Sequence, residues 1–265
     1  RDIKRISAAV EELTYVNMGA TAVGTGINAD VEYVKNVVRI LSEVTGFEFK
    51  QSPDLVDGTR NLDSFVWLSS ALKTCAVNLS KTANDIRLMA SGPKAGLAEI
   101  LLPQQQPGSS IMPGKVNPVI PEVLNQVCFQ IFGNDITITK AAEAGQLELN
   151  VFEPVLFFNL FQSIEILKNG IITFIENCLK GITAQEENCK YWVDRSVGII
   201  TALNPHIGYK NAAEIAKESI KTGVPVAQIV LQRGLLSKED LDVILNPFEM
   251  TKPGIPGKAL LKKNK

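Results

Sequence analysis

Histidine, paired cysteines, aromatic residues and excess charge are all scarce in this 265-residue sequence, and each scarcity excludes a class of protein. With one histidine and four cysteines that form no C-x-x-C pair, we predict no metal site and four reduced, mostly buried thiols. Aromatic residues make up 6% of the chain, too few for a surface that stacks nucleic-acid bases. The 27 Lys and Arg residues balance 28 Asp and Glu residues, so neither nucleic acid nor an anionic membrane is expected as the main partner.

Long apolar runs, alternating β patterns and internal repeats are also lacking. No run reaches the roughly 18 apolar residues that span a bilayer, and we recognise no secretory-signal pattern within the 265 residues. We therefore expect a soluble, cytoplasmic protein. The first residues already read as helix interior, without an initiator Met or a capping residue, so we expect the chain to be a piece of a longer protein.

What the sequence does have is a helical period along almost its whole length. The longest pattern runs over residues 59–91, about 50 Å of helix at 1.5 Å per residue, and is ended by Gly92-Pro93. Two more long helices are predicted over residues 118–144 and 151–179. The last of these is apolar on most sides, which indicates burial in the middle of a bundle or an oligomer.

Shorter elements follow the long helices. Residues 183–186, Thr-Ala-Gln-Glu, read as a capping box that opens a short helix, and residues 203–208 read as a turn. We therefore predict an all-α fold with two domains. A central long-helix bundle, N-terminally incomplete, occupies residues 1–182, and a small C-terminal helical domain occupies residues 183–265.

One loop carries an unusual set of side chains for a helical chain: residues 107–118, Pro-Gly-Ser-Ser-Ile-Met-Pro-Gly-Lys-Val-Asn-Pro. Asn117 is a candidate N-cap of the following helix, whose free N–H groups favour anions. A serine hydroxyl acts as a base only where positive charge stabilises its alkoxide, and Lys115 is a candidate for that charge. Two interpretations stay open: an anion site with Ser109 or Ser110 as the reactive group, or a capped surface turn with two solvated serines.

The same loop resembles the signature loop of the aspartase/fumarase superfamily over eleven consecutive residues, 108–118. Four further segments resemble segments of that family: residues 17–26, 88–96, 148–154 and 204–209. Superfamily members form or cleave fumarate by addition or β-elimination. Met18 and residues 119–123 and 151–154 are similar to the aspartate ammonia-lyase branch, and class II fumarase is the alternative.

The resemblance implies reversible deamination of L-aspartate to fumarate and ammonia without a cofactor. It implies a homotetramer built on a bundle of long central helices. It also implies that Ser109 abstracts the proton beside the β-carboxylate, while Ser110, Met112, Lys115 and Asn117 bind the substrate carboxylates.

Glu122 matches the family glutamate that pairs with an active-site histidine. The alternative is a carboxylate favoured by the helix dipole alone, worth about 0.3–1 kcal/mol. The family's histidine-bearing and Ser/Thr-bearing loops have no counterpart in this sequence, and His206 lies in a turn where we predict a structural role. We therefore expect the chain to be inactive alone, and a non-catalytic helical oligomerisation fragment is the remaining alternative.

Overall fold

The computed structural model describes residues 1–108, 111–112 and 114–262, which fold as an all-α protein, as predicted. The chain divides into two compact units. The long-helix unit comprises Arg1–Gly96 and Ile100–Thr183, and the short-helix unit comprises Leu97–Glu99 and the chain from Ala184 onward.

The helices of the long-helix unit are α1 (Asp2–Glu12), α2 (Val31–Thr45), α3 (Leu55–Arg60), α4 (Asp63–Met89), α5 (Val119–Glu143) and α6 (Glu153–Asn177). Those of the short-helix unit are α7 (Glu186–Arg195), α8 (Ile200–Ile207), α9 (Tyr209–Thr222), α10 (Val226–Gln232), α11 (Lys238–Ile244) and α12 (Pro247–Met250). The strands have two residues each: β1 (Tyr15–Val16), β2 (Lys50–Gln51), β3 (Ile100–Leu101) and β4 (Thr183–Ala184). Short 3-10 turns span Leu179–Gly181, Val197–Ile199 and Lys258–Lys262.

The core of the long-helix unit lies between α4, α5 and α6, with α5 packed along both of the others. Leu124, Ile131 and Ile138 of α5 are almost completely buried. They are spaced by seven residues, nearly two helical turns, and so form one apolar stripe. The start of α5 is thereby fixed against the end of α4.

The helix predicted over residues 59–91 is two helices, because the chain leaves the helical conformation at Asn61 (φ −99°, ψ 135°). The carboxylate of Asp54 caps α3 by accepting hydrogen bonds from the N–H groups of Val56 and Asp57, at 2.9 and 3.2 Å. Since α4 begins only at Asp63 and has 27 residues, it is about 40 Å long rather than 50 Å.

α6 is apolar on most sides, as predicted, but it is not buried all round in this chain. Leu156, Leu160 and Leu167 are buried, whereas Phe158 and Phe161 are exposed. Within the described residues, the segment Glu153–Gly181 is long and apolar enough to cross a membrane, and 28% of its most apolar window is buried. Length and composition alone are weak evidence for a membrane span, because the core helix of a soluble protein can have both. The buried positions recur every three or four residues, as in a bundle helix.

The short-helix unit has its own apolar core, which includes Leu203, Ile215, Ile229 and Ile244. The turn predicted over residues 203–208 is wrong: α8 continues to Ile207, even though it contains Pro205. Burial of the α8 side chains in this core outweighs the hydrogen bond that a proline cannot donate.

The predicted capping box at residues 183–186 is also wrong. Thr183 belongs to β4, and Gln185 occupies the N-cap position of α7 without a side-chain cap. The backbone N–H of Gln185 instead donates to the carbonyl of Glu99 at 2.8 Å. A contact distant in sequence therefore sets where α7 begins.

Candidate active site

The loop predicted to carry the chemistry is closed at its base by two hydrogen bonds. The backbone N–H of Gly108 donates to the carbonyl of Lys115 at 2.8 Å, and Nδ2 of Asn117 donates to the carbonyl of Gly108 at 3.1 Å. Residue 108 must be glycine for this closure, because a Cβ there would lie 2.3 Å from the Lys115 carbonyl oxygen. Gly114 has φ +81°, a conformation that favours glycine. The two ends of the loop are thus held together just before α5.

Lys115 and Met112 lie on the solvent side of this closure. The backbone N–H of Lys115 donates to the carbonyl of Met112 at 3.2 Å, and the Met112 side chain is 51% exposed. In the part of the chain that the structure describes, Lys115 forms no ion pair, so its ammonium can meet an anion from solvent. Ser109 and Ser110, the predicted reactive residues, lie outside the described residues.

Asn117 is not the N-cap that the sequence predicts. α5 begins at Val119, with Pro118 in the cap position and no side-chain cap. The Asn117 amide instead binds the Gly108 carbonyl across the loop. Because an amide nitrogen carries two hydrogens, Asn117 can close the loop and still donate to an anion.

Glu122 lies half-buried in the first turn of α5, five residues after Asn117. Its Oε1 is 3.8 Å from Nη2 of Arg87 in the last turn of α4. Sequence reasoning missed Arg87. A basic residue in the last turn of a helix is ordinarily explained by the helix dipole, so only its place beside the family-like segment 88–96 could have pointed to it.

A buried amide holds Arg87 in place. Nη1 of Arg87 donates to Oδ1 of Asn125 at 3.2 Å, and Asn125 is 3% exposed. Nδ2 of Asn125 donates to the carbonyl and Oγ of Ser80 on α4, at 3.1 and 2.9 Å. Nε of Arg87 is buried and has no hydrogen-bond partner among the described residues. The guanidinium position is therefore set by the contact between α4 and α5.

The chain before the loop is also fixed. Nε2 of Gln105 donates to the carbonyl of Asn177 at the end of α6, at 2.8 Å. Pro103 packs against Gly181 so closely that a Cβ at residue 181 would lie 2.4 Å from its ring. Both sides of the loop are thus attached to the ends of long helices.

A cavity of about 610 Å³ elsewhere in the long-helix unit does not include the loop. Its lining contains five acidic residues: Glu12, Asp54, Asp57, Asp63 and Glu153. Carboxylates concentrated in one cavity repel an anionic ligand. This cavity is therefore a poor candidate for binding a carboxylate ligand.

The lone histidine and the acidic groups offer no metal centre. His206, in the short-helix unit, lies with Nε2 2.8 Å from the carbonyl oxygen of Pro256. Across residues 1–108, 111–112 and 114–262, no group of three or more His, Cys, Asp or Glu side chains could hold a metal ion.

Comparison with known proteins identifies the family. Residues 1–133 match the family model described as lyase, and residues 199–252 match that of the fumarase C C-terminus. The chain belongs to the aspartase/fumarase superfamily of lyases. The resemblance seen in the loop sequence is thereby confirmed.

Relatives in the superfamily include two bacterial aspartate ammonia-lyases. The Bacillus subtilis (strain 168) protein is 60% identical over 263 residues, which cover 99% of this chain and 55% of that protein. The Escherichia coli (strain K12) protein is 49% identical over 257 residues, covering 97% of this chain and 54% of that protein. The chain thus spans about half the length of the curated relatives it matches.

Solved structures of the superfamily have the same fold. A fumarate lyase:delta crystallin from Brucella melitensis has a TM-score of 0.90 and 45% identity, over 95% of this chain and 55% of that one. A class II fumarase from Schistosoma mansoni has a TM-score of 0.85 and 34% identity, over 95% of this chain and 56% of that one. The fold of this chain is therefore shared with both solved structures.

Proposed function

We propose that the full-length protein is an aspartate ammonia-lyase, which converts L-aspartate reversibly to fumarate and ammonia. The observation that carries this proposal is the 60% identity to the Bacillus subtilis aspartate ammonia-lyase over 99% of the chain. The closed loop before α5 supports it, because it offers an ammonium and an amide where a dicarboxylate can bind.

Ser109 is the base in this proposal. Its alkoxide takes the proton from the carbon beside the β-carboxylate, and the electron pair of that C–H bond moves onto the carboxylate to give a doubly negative intermediate. The pair then forms the double bond as the carbon–nitrogen bond breaks and ammonia leaves. Catalysis depends on stabilising that intermediate more strongly than the substrate.

Lys115 and Asn117 supply that stabilisation, together with donors near Ser110 and Met112. The charge on the β-carboxylate rises as the proton leaves, so an ammonium and an amide N–H bind the intermediate better than the substrate. Closure of the loop through Gly108 fixes the Asn117 amide and the backbone of Lys115 before the substrate arrives. No cofactor takes part in these steps.

Glu122 matches the superfamily glutamate that pairs with an active-site histidine. The loop that carries this histidine has no counterpart in the 265 residues. We therefore expect a purified 265-residue polypeptide to show no turnover. The intact mass of the purified protein shows whether the sample is the 265-residue polypeptide or a longer chain. Measurable fumarate release by a preparation of verified 265-residue mass would contradict this expectation.

Class II fumarase is the second candidate, because the Schistosoma mansoni fumarase has the same fold at 34% identity. Ultraviolet absorbance of fumarate decides between the two, with L-aspartate and L-malate assayed separately on the full-length protein. The proposal requires turnover of L-aspartate. Turnover of L-malate alone would establish the fumarase alternative.

A homotetramer built on the long helices is the proposed assembly, because large apolar side chains on α5 and α6 lie exposed in the single chain. Examples are Phe129, Ile136, Phe158 and Phe161. Light scattering of the full-length protein should give the mass of four chains, and Phe158→Asp should lower it. Phe47→Asp is the matched control, since Phe47 is exposed to a similar degree (69% against 66%) outside these helices. A wild-type monomer would contradict the proposal.

A further inference from the structure

Arg87 and Glu122 form an ion pair between the C-terminal turn of α4 and the N-terminal turn of α5. Each charge lies at the helix end whose dipole favours it. Most other ion pairs in the described residues join side chains three or four positions apart on one helix, such as Arg39 with Glu43 on α2. The Arg87–Glu122 pair instead connects two helices at the end of the bundle where the loop lies.

The distance in this pair is informative. At 3.8 Å, Nη2 of Arg87 attracts Oε1 of Glu122 without donating a hydrogen bond to it. The guanidinium takes its position from Asn125, whose own amide is held by Ser80. The carboxylate therefore feels a fixed positive charge while its lone pairs remain able to accept hydrogen bonds from another group.

We propose that Arg87 is a positioning residue, which keeps the Glu122 side chain directed so that Glu122 can orient its partner in the active site. The inference rests on the proposed function, because Glu122 acts on the reaction only if the start of α5 belongs to the active site. Arg87 itself touches no reacting atom in this proposal. Its effect on turnover passes through Glu122.

A double-mutant cycle on the full-length protein tests the proposal, with turnover of L-aspartate as the readout. The variants are Arg87→Met, Glu122→Gln, the double variant and Arg87→Lys, and Arg39→Met is the control for loss of an exposed arginine. We expect Arg87→Met to lower kcat by on the order of 10-fold, with KM little changed. This is less than the roughly 10²–10⁴-fold contributed by a direct acid or base, because Arg87 acts only through Glu122. Arg87→Lys should recover part of kcat, and the double variant should be no slower than Glu122→Gln alone.

Three outcomes overturn the positioning role while the wild type is active. They are an unchanged kcat for Arg87→Met, an effect of Arg87→Met on kcat that persists in full in the Glu122→Gln background, and a rise in KM alone. If Arg87→Met fails to fold, judged by thermal melting, the same cycle is run with Arg87→Lys, which keeps the cation. A wild type inactive on L-aspartate contradicts the proposed function, and the positioning role falls with it.

Discussion

The two units bury different kinds of side chain. Among the described residues, the long-helix unit buries eight polar side chains and the short-helix unit buries one, Ser219. Those of the long-helix unit are Thr59, Ser69, Ser80, Asn125, Asn134, Asp135, Asn150 and Ser163. The core of the short-helix unit is otherwise apolar.

Buried polar contacts between two helices fix the register of one helix along the other. Apolar packing alone fixes this register less strictly. Asp135 of α5 accepts hydrogen bonds from Ser69 and Lys73 of α4, at 2.8 and 2.5 Å. Asn134 binds Ser163 of α6 at 3.0 Å on another side of α5. The long-helix unit therefore combines an extended bundle with a defined register, which a site assembled at helix ends requires.

The largest difference that we predict between the two units is in the reactivity of their cysteine thiols. Cys75, Cys128 and Cys178 of the long-helix unit are buried, whereas Cys189 of the short-helix unit is partly exposed. Burial raises the pKa of the Cys128 thiol to about 11, so about a thousandth of it is thiolate at pH 8. The native protein is labelled with iodoacetamide, and the modified cysteines are mapped by mass spectrometry. Cys189 should be modified first. The labelling rate of Cys128 should rise only as the pH approaches 11. Rapid labelling of Cys128 at pH 8 would contradict the packing.

The apolar core of the short-helix unit is tested by Leu203→Ala. Leu203 is 0% exposed, so the cavity should cost about 2–5 kcal/mol of unfolding free energy. Trp192 is the only tryptophan of the short-helix unit and Trp67 the only one of the long-helix unit, so fluorescence of a Trp67→Phe background reports this unit. Ile220→Ala, at an exposed position of α9, is the control and should cost less than about 0.5 kcal/mol. Equal losses for the two variants would show that the core is not where we place it.

The polar contacts of the long-helix unit are tested by Lys73→Met. This change leaves the buried carboxylate of Asp135 with the Ser69 hydroxyl as its remaining side-chain donor. Because Lys73 is itself partly exposed, we expect a loss of about 2 kcal/mol, below the range for a fully buried pair. Lys168→Met removes an exposed pair with Glu165 on α6 and should cost less than Lys73→Met, because solvent screens exposed charges. Both losses of unfolding free energy are measured by chemical denaturation followed through Trp67 fluorescence. A loss for Lys73→Met no larger than that for the control would contradict the role that we give to the polar contacts.

Periodic apolar patterns in the sequence were sufficient to predict the long helices. α5 and α6 lie close to the ranges 118–144 and 151–179 that their apolar spacing indicated. Apolar spacing does not report a short interruption, however. The period continues through residue 62, and so the break at Asn61 between α3 and α4 was not visible in it.

The remaining errors come from contacts between residues distant in sequence. Asn117 reads as an N-cap until its amide is seen to bind Gly108. Residues 203–208 read as a turn because Pro205 breaks isolated helices, whereas the apolar core holds α8 together. Apart from its place beside the family-like segment 88–96, Arg87 has no local signal, because it contacts Glu122 and Asn125 on another helix. The loop could be found from sequence, but its closure and its support could not.

The central claim is that the loop before α5 carries the base of an aspartate ammonia-lyase. It is tested most directly by comparing fumarate release from L-aspartate by the full-length wild type and its Ser109→Ala variant. We predict an active wild type and a fall in kcat on the order of 10³-fold for Ser109→Ala, the scale of a lost general base. A Ser109→Ala variant with kcat near that of the wild type would contradict the account.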